Sequence, residues 1–218
     1  MRRVLSVAET GKEKWPAGEV FYYADGPGGK VQCTLSIGFT ASGNLLPVLV
    51  HYIGRNGKHA DKFHEFVTLL KKGDLLPRNA EFTAACKTAA ADPLFMTVQE
   101  EDFTEFYMKP AFKWARENGF VLELSYLVIA DSFLHSGSML GFLMNRFPEK
   151  KPAAGGNEKK WIEDYLRARR EWLASHPNKI LNATIYRANA YLSALAKGDW
   201  NLEQPIVMHG TVIKPNIA

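Results

Sequence analysis

Residues 19–37, EVFYYADGPGGKVQCTLSI, decide the fold class. Two β-prone runs, EVFYYA (19–24) and KVQCTLSI (30–37), flank the turn-rich DGPGG. Gly, Pro and Asp between such runs are hairpin chemistry: glycine reaches positive φ, and proline cannot continue a ladder. In the second run Val31, Cys33, Leu35 and Ile37 alternate with Gln32, Thr34 and Ser36. A period of two puts these sets on opposite faces, which predicts a half-buried strand with one polar face.

Outward from this hairpin the period becomes helical. Val4, Leu5 and Ala8 predict a helix over 2–9, ended by Thr10-Gly11. After Gly43, Asn44 can cap a helix carrying Leu45, Leu46, Leu49 and Val50. Phe63, Phe66, Val67 and Leu70 predict another, ended by Gly73. Residues 92–118 are helical with Pro110 interrupting, and 121–135 are apolar nearly all round, as in a central helix. Asn157 can cap a long helix through His176, and a helix over 182–197 precedes an extended end, IVMHGTVI (206–213). The loop PEKKPAAGGN (148–157) could separate two lobes. The fold class is therefore α+β, mainly helical, with one small sheet near the N-terminus. The whole chain, 1–218, reads as one domain.

Composition narrows the function. Hydrophobic residues are 46% and charged residues 23%, which excludes a disordered or collagenous chain. No apolar run approaches the roughly 20 residues of a membrane span, and the first 15 residues lack an apolar signal core. The net charge of +4 comes from interleaved acids and bases, which suits an anionic polymer better than a cationic one. Cys33 and Cys86 lack metal or redox spacing and read as free buried thiols. There is no GxGxxG, no P-loop and no GxSxG. His64-Glu65 opens like a zincin motif, but position 68 is Thr, and His51, His59 and His64 read as a solvated face. No cofactor or metal is expected.

The carboxylates are more informative. Glu9 ends an apolar helix and Asp25 starts the hairpin turn. Glycoside hydrolysis needs two such groups, one acid and one base or nucleophile. Either could equally be ordinary turn or surface chemistry. Asp131 interrupts the apolar helix 121–135, so it needs a helix end or a cation as partner; Arg169 and Arg187 on later helices could supply the cation. A cation beside Glu9, already engaged by Asp131, could orient the acid while burial keeps it protonated.

At these residues the sequence resembles the glycoside hydrolase family 46 chitosanases, of the lysozyme-like superfamily. Glu9 is followed sixteen residues later by Asp25-Gly26, like the family's acid and base. IGFTASGN (37–44), NEKKWIEDYLRARREWL (157–173) and YRANAYLSALAKGDWNLEQPI (186–206) resemble further family blocks in order. The resemblance implies a lysozyme-like fold of two lobes with a cleft between them, and an inverting mechanism. Glu9 would protonate the leaving oxygen and Asp25 would activate water, with the carboxyls roughly 6.5–9.5 Å apart. Thr34 looks like the water-positioning threonine, with Cys33 the alternative by spacing. Arg187, Asp131 and Arg169 look like the network supporting the acid.

Departures from the family pattern bear on substrate. Where the family has an aspartate for the glucosamine ammonium, this chain has Asn44, a sugar contact or a helix cap. An insertion around Pro27 to Gly29 leaves Glu19 as an alternative base. Trp15, Tyr22, Tyr23 and Phe39 lie near these carboxylates in sequence, and Tyr23 and Phe39 are candidate sugar-stacking rings. Lys150, Lys151, Lys159 and Lys160 could meet wall anions. Together these point to an acetylated amino-sugar polymer, peptidoglycan, and to muramidase activity, with chitosan hydrolysis as the alternative and a non-catalytic glycan-binding module as the third reading. A monomer is expected, with no nucleic acid partner and no membrane span. The family has more residues before its acid, so the chain is expected to be a catalytic domain cut from a longer protein. It would act in the periplasm or wall of a target bacterium, as a phage lysin or type VI effector opposed by an immunity protein.

Overall fold

A computed structural model describes residues 1–215. Helix α1 (Arg2–Thr10) buries Val4, Leu5, Val7 and Ala8 and stops at Gly11, whose φ of 72° is the left-handed cap that glycine adopts without strain. Strands β1 (Val20–Tyr23), β2 (Gln32–Leu35) and β3 (Phe39–Thr40) follow, then helices α2 (Leu45–Gly54), α3 (His64–Lys71), α4 (Ala80–Ala89) and α5 (Pro93–Phe103). The chain continues through α6 (Lys109–Glu117), α7 (Glu123–Ser136), α8 (Gly141–Met144), α9 (Glu158–Ala174), α10 (Lys179–Ala183) and α11 (Tyr186–Ala196). Strands β4 (Ile206–Met208) and β5 (Thr211–Ile213) close it. No helix among the described residues is long and apolar enough to cross a membrane.

The chain divides into two compact units. One is Met1–Glu13 together with the chain from Tyr107 onward, and the other is Lys14–Phe106. The loop at 148–157 lies inside the first unit, so it is not the divider. Its Pro152–Ala154 turn is tied down instead: Ala153 donates its amide to the Asn118 carbonyl at 3.0 Å.

In the Lys14–Phe106 unit the hairpin forms as the alternation predicts. β1 and β2 are antiparallel with Phe21 opposite Thr34 and Tyr22 opposite Cys33. β3 then pairs with β2, Leu35 opposite Phe39, a third strand too short to carry a period of its own. One expectation is corrected here. The polar face of β2 is buried rather than exposed: Gln32, Thr34 and Ser36 are all covered. The core of this unit also holds an aromatic cluster, Tyr52, Phe63, Phe82 and Phe95, packed mostly edge to face.

In the first unit α7 is the central helix its composition predicts; Leu124, Leu127, Val128 and Ile129 are all inaccessible. Pro110 does not kink a long helix. α5 ends, a single π-helical turn over Thr104–Met108 intervenes, and Pro110 sits in the first turn of α6, where its missing N–H costs nothing. The extended end is a second sheet, with β4 and β5 antiparallel and Val207 opposite Val212. The expectation of a single sheet is thus corrected to two among the described residues.

Candidate active site

Helix α1 presents Glu9 at its last turn, and α7, α9 and α11 bring three charges to the same place. Arg187 on α11 donates Nη2 to Glu9 Oε1 and Nη1 to Asp131 Oδ1, the latter at 2.8 Å. Arg169 Nη1 lies 2.8 Å from Asp131 Oδ2. Tyr191 adds a hydroxyl bond to Asp131 at 3.0 Å. Asp131 and Arg169 are 0% exposed and Arg187 1%. The order of the chain is therefore Arg169, Asp131, Arg187, Glu9. Three members are sealed and the fourth opens to solvent, its side chain 27% exposed.

Burial alone would raise the Asp131 carboxyl, but Arg187 and Arg169 outweigh it and hold the group below its ordinary range. Burial alone would lower the Arg187 guanidinium; Asp131 and Glu9 reverse that and raise it. His135, one helical turn after Asp131, is pushed down to about 3 by burial and by Arg187 and Arg169, and stays neutral near pH 7. The expected burial of Glu9 is not met. Its geometry is fixed instead by Arg187, and by the backbone of α1, whose Ala8 carbonyl accepts the Tyr186 hydroxyl at 2.6 Å.

Asp25 lies in the other unit, exposed at the start of the turn. The turn closes through Gly26, whose amide donates to the Lys30 carbonyl at 3.0 Å. A Cβ at Gly26 would come within 2.8 Å of that carbonyl, so a glycine is required. Gln32 Nε2 donates to Asp25 Oδ1 at 3.0 Å, and the Ser42 amide donates to Gln32 Oε1 at 3.0 Å. Thr34, on the same face of β2 as Gln32, is 7% exposed, and its Oγ1 has no hydrogen-bond partner among the described residues. A buried hydroxyl without a partner has capacity to hold a water. Cys33 points the other way, and burial pushes its thiol up to about 12.

The other candidates separate. Phe39 is fully buried against the sheet and offers no face to a sugar. Trp15 is also core: its ring meets Phe103 edge-on at 5.2 Å and its indole donates to Gln99 at 3.3 Å. Tyr22 donates its hydroxyl to the Asn79 carbonyl at 2.8 Å. Tyr23 is 47% exposed and remains a stacking candidate. Glu19 is partly buried on the approach to β1, where its carbonyl accepts the Ser36 amide. Asn44 stands at the N-terminus of α2, but its side chain makes no capping bond to that helix, which removes the cap reading. His51 is engaged by Asp102 at 2.9 Å rather than grouped with His59 and His64. Lys151 and Lys159 lie over Trp114 and Trp200, and Lys160 pairs with Asp164, so much of the basic run is already engaged.

Sequence reasoning missed Gln32, Tyr191 and His135. Tyr191 and His135 each stand four residues after a network member, on the same helical face, and that spacing was a usable signal. Gln32 was visible only as one member of the polar face of β2.

The family model for glycosyl hydrolase family 46 matches residues 3–206. A mutant chitosanase from Bacillus subtilis MY002, solved with 6 GlcN, is 25% identical with a TM-score of 0.83, covering 98% of this chain and 96% of that one. A family 46 chitosanase from Gynuella sunshinyii, in complex with chitotetraose, is 21% identical with a TM-score of 0.84, covering 100% and 96%. No curated protein matches.

Proposed function

We propose, from the premise that this chain belongs to glycosyl hydrolase family 46 and is a glycoside hydrolase, that it cleaves the β-1,4 bonds of chitosan. The observation that carries the chemistry is the chain of charges ending at Glu9. Arg187 engages Oε1, so Oε2 is the oxygen that can carry a proton to the leaving glycosidic oxygen. Asp25 is the base that takes a proton from the attacking water, and Thr34 Oγ1 holds that water. Water attacks the face opposite the leaving group, so the anomeric configuration inverts. Tyr23 stacks on a sugar ring.

Two observations support a glucosamine polymer. The structural relatives named above were solved with amino-sugar oligomers. The charge of this chain is also uneven. Lys14–Phe106 carries nine Lys and Arg against eleven Asp and Glu, a net of −2, and the basic excess lies in the other unit. The overall +4 therefore does not weigh against a cationic substrate in the unit that carries Asp25. Asn44 favours a second reading, peptidoglycan, because an amide supplies no charge for an ammonium group.

Product analysis by mass spectrometry on chitosan and on purified peptidoglycan tests both readings, with Glu9→Gln and Asp25→Asn as controls. Glucosamine oligomers, lost in both variants and released as the α-anomer by NMR, are the expected result. Reducing muramic-acid ends would establish the second reading. Activity in Asp25→Asn but not in Glu9→Gln would move the base to Glu19.

A further inference from the structure

The hydrogen bonds around Gln32 connect two features that the sequence treats separately. Its side chain is buried, 3% exposed, on the inner face of β2. Its amide has one orientation. The Ser42 N–H donates to Oε1, so the other end must be the NH2 group, and that group donates to Asp25 Oδ1. The exposed carboxylate on the turn is thereby tied, through a single buried side chain, to the backbone of the segment 40–44 that ends at Asn44. The backbone of the turn is closed by Gly26 on Lys30, but its tip is open: Gly28 and Gly29 are at positive φ, and a Cβ at either would meet nothing within 4 Å.

We propose that Gln32 is the positioning residue for Asp25, a strut that fixes which carboxylate oxygen faces the reacting water and couples the base to the loop carrying Asn44. With Oδ1 occupied by Gln32, Oδ2 is the oxygen that takes the proton. This rests on the assignment of Asp25 as base. Gln32 is buried and both ends of its amide are engaged by protein groups, so its loss acts through the geometry of Asp25. A displacement of about 1 Å in a reacting group costs on the order of a hundredfold in rate.

Three variants test it by steady-state kinetics on a soluble oligomer. Gln32→Met keeps the volume and removes both bonds; kcat is expected to fall roughly ten- to hundredfold with KM within about twofold. Gln32→Glu, read at the alkaline end of the activity range where the new carboxyl is ionised, keeps the acceptor for Ser42 and loses the donor to Asp25; its kcat is expected to fall similarly. Full activity in Gln32→Glu with a slow Gln32→Met would assign the effect to Ser42 and overturn the proposal. The third variant combines Gln32→Met with Asp25→Asn, and the residual rate should equal that of Asp25→Asn alone, because the strut has nothing left to position. Multiplying losses would mean that Gln32 acts elsewhere and would also overturn it. A dead Asp25→Asn with wild-type kcat in Gln32→Met removes the strut and leaves the base. A fully active Asp25→Asn removes the base assignment itself. Kinetics are read well below each variant's melting temperature, which separates misfolding from misplacement.

Discussion

Arg187 and Asp131 lie 2.8 Å apart, with neither more than 1% exposed, and Arg187 turns its remaining outer nitrogen to Glu9. The pair fixes the direction of a guanidinium that would otherwise be free to swing, and so the direction of the carboxylate it holds. Such pairs are costly to break, because the surviving charge has no water to turn to.

Asp131→Asn therefore tests the network at its centre. The variant keeps the shape and leaves two buried guanidiniums facing an amide. Breaking such a pair costs roughly 3–5 kcal/mol, on the order of 10 °C in melting temperature for a chain of this size. Calorimetry should show that loss, and activity measured below the transition should fall with it as Glu9 loses its fixed partner. Unchanged melting would mean that the two arginines find other acceptors.

How much of this was legible in the sequence differs between the two units. The charge network was readable because an Asp in an apolar helix needs a cation, and the resemblance singled out Arg169 and Arg187 among the many cations of the later helices. The hairpin was readable from its period and its turn residues. Burial was not. The alternation in β2 marks two faces but does not say which of them water reaches, since that depends on what packs from above. Gln32 and Thr34 stand on the polar face that the period predicts, yet both are buried. Phe39 failed for the same reason: an aromatic beside a carboxylate in sequence is core or subsite according to packing that a local pattern does not carry. The helical run 92–118 is interrupted as Pro110 suggests, but the break is a π turn ahead of the proline, which the sequence does not announce.

His135 contributes to the acid side of stability. Its folded value is about 3 against an ordinary 6.5, from burial first and then from Arg187 and Arg169, with Asp131 opposing. Between those values the unfolded chain binds a proton that the folded chain refuses. Stability is thus fully present above about 6.5 and declines as the pH falls toward 3. Asp131, whose folded value is depressed, contributes stability above its ordinary 3.8 and loses it only below that, in a more acid window. Urea melts of wild type and His135→Gln at pH 7 and pH 4.5 should show a smaller acid loss in the variant. Equal losses would place the acid sensitivity at another group.

Asn44 tests the substrate directly. If an ammonium-bearing sugar passes this position, Asn44→Asp adds a charge-assisted bond that the amide lacks. KM on fully deacetylated oligomers should fall by about three- to tenfold, and the gain should shrink with added salt. No gain on deacetylated oligomers, with unchanged activity on acetylated ones, would place the ammonium elsewhere and strengthen the peptidoglycan reading.

Thr34 offers the cleanest separation of function from stability. Its hydroxyl is buried without a partner among the described residues, so Thr34→Val exchanges an unsatisfied polar atom for a methyl of the same size. Such a change is neutral or stabilising for folding. If the hydroxyl holds the attacking water, the same change should lower kcat by roughly tenfold or more, with KM little moved. Cys33→Ala supplies the contrast. That thiol faces the other side of β2 and, with a pKa of about 12, stays protonated, so it has no means of activating water. The expected cost of Cys33→Ala is a small cavity and about 1–2 kcal/mol of stability, with kcat intact. A stable, slow Thr34→Val beside a less stable, fully active Cys33→Ala assigns the water to Thr34. The reverse pattern would transfer that role to the Cys33 position and shift the register of the resemblance by one residue.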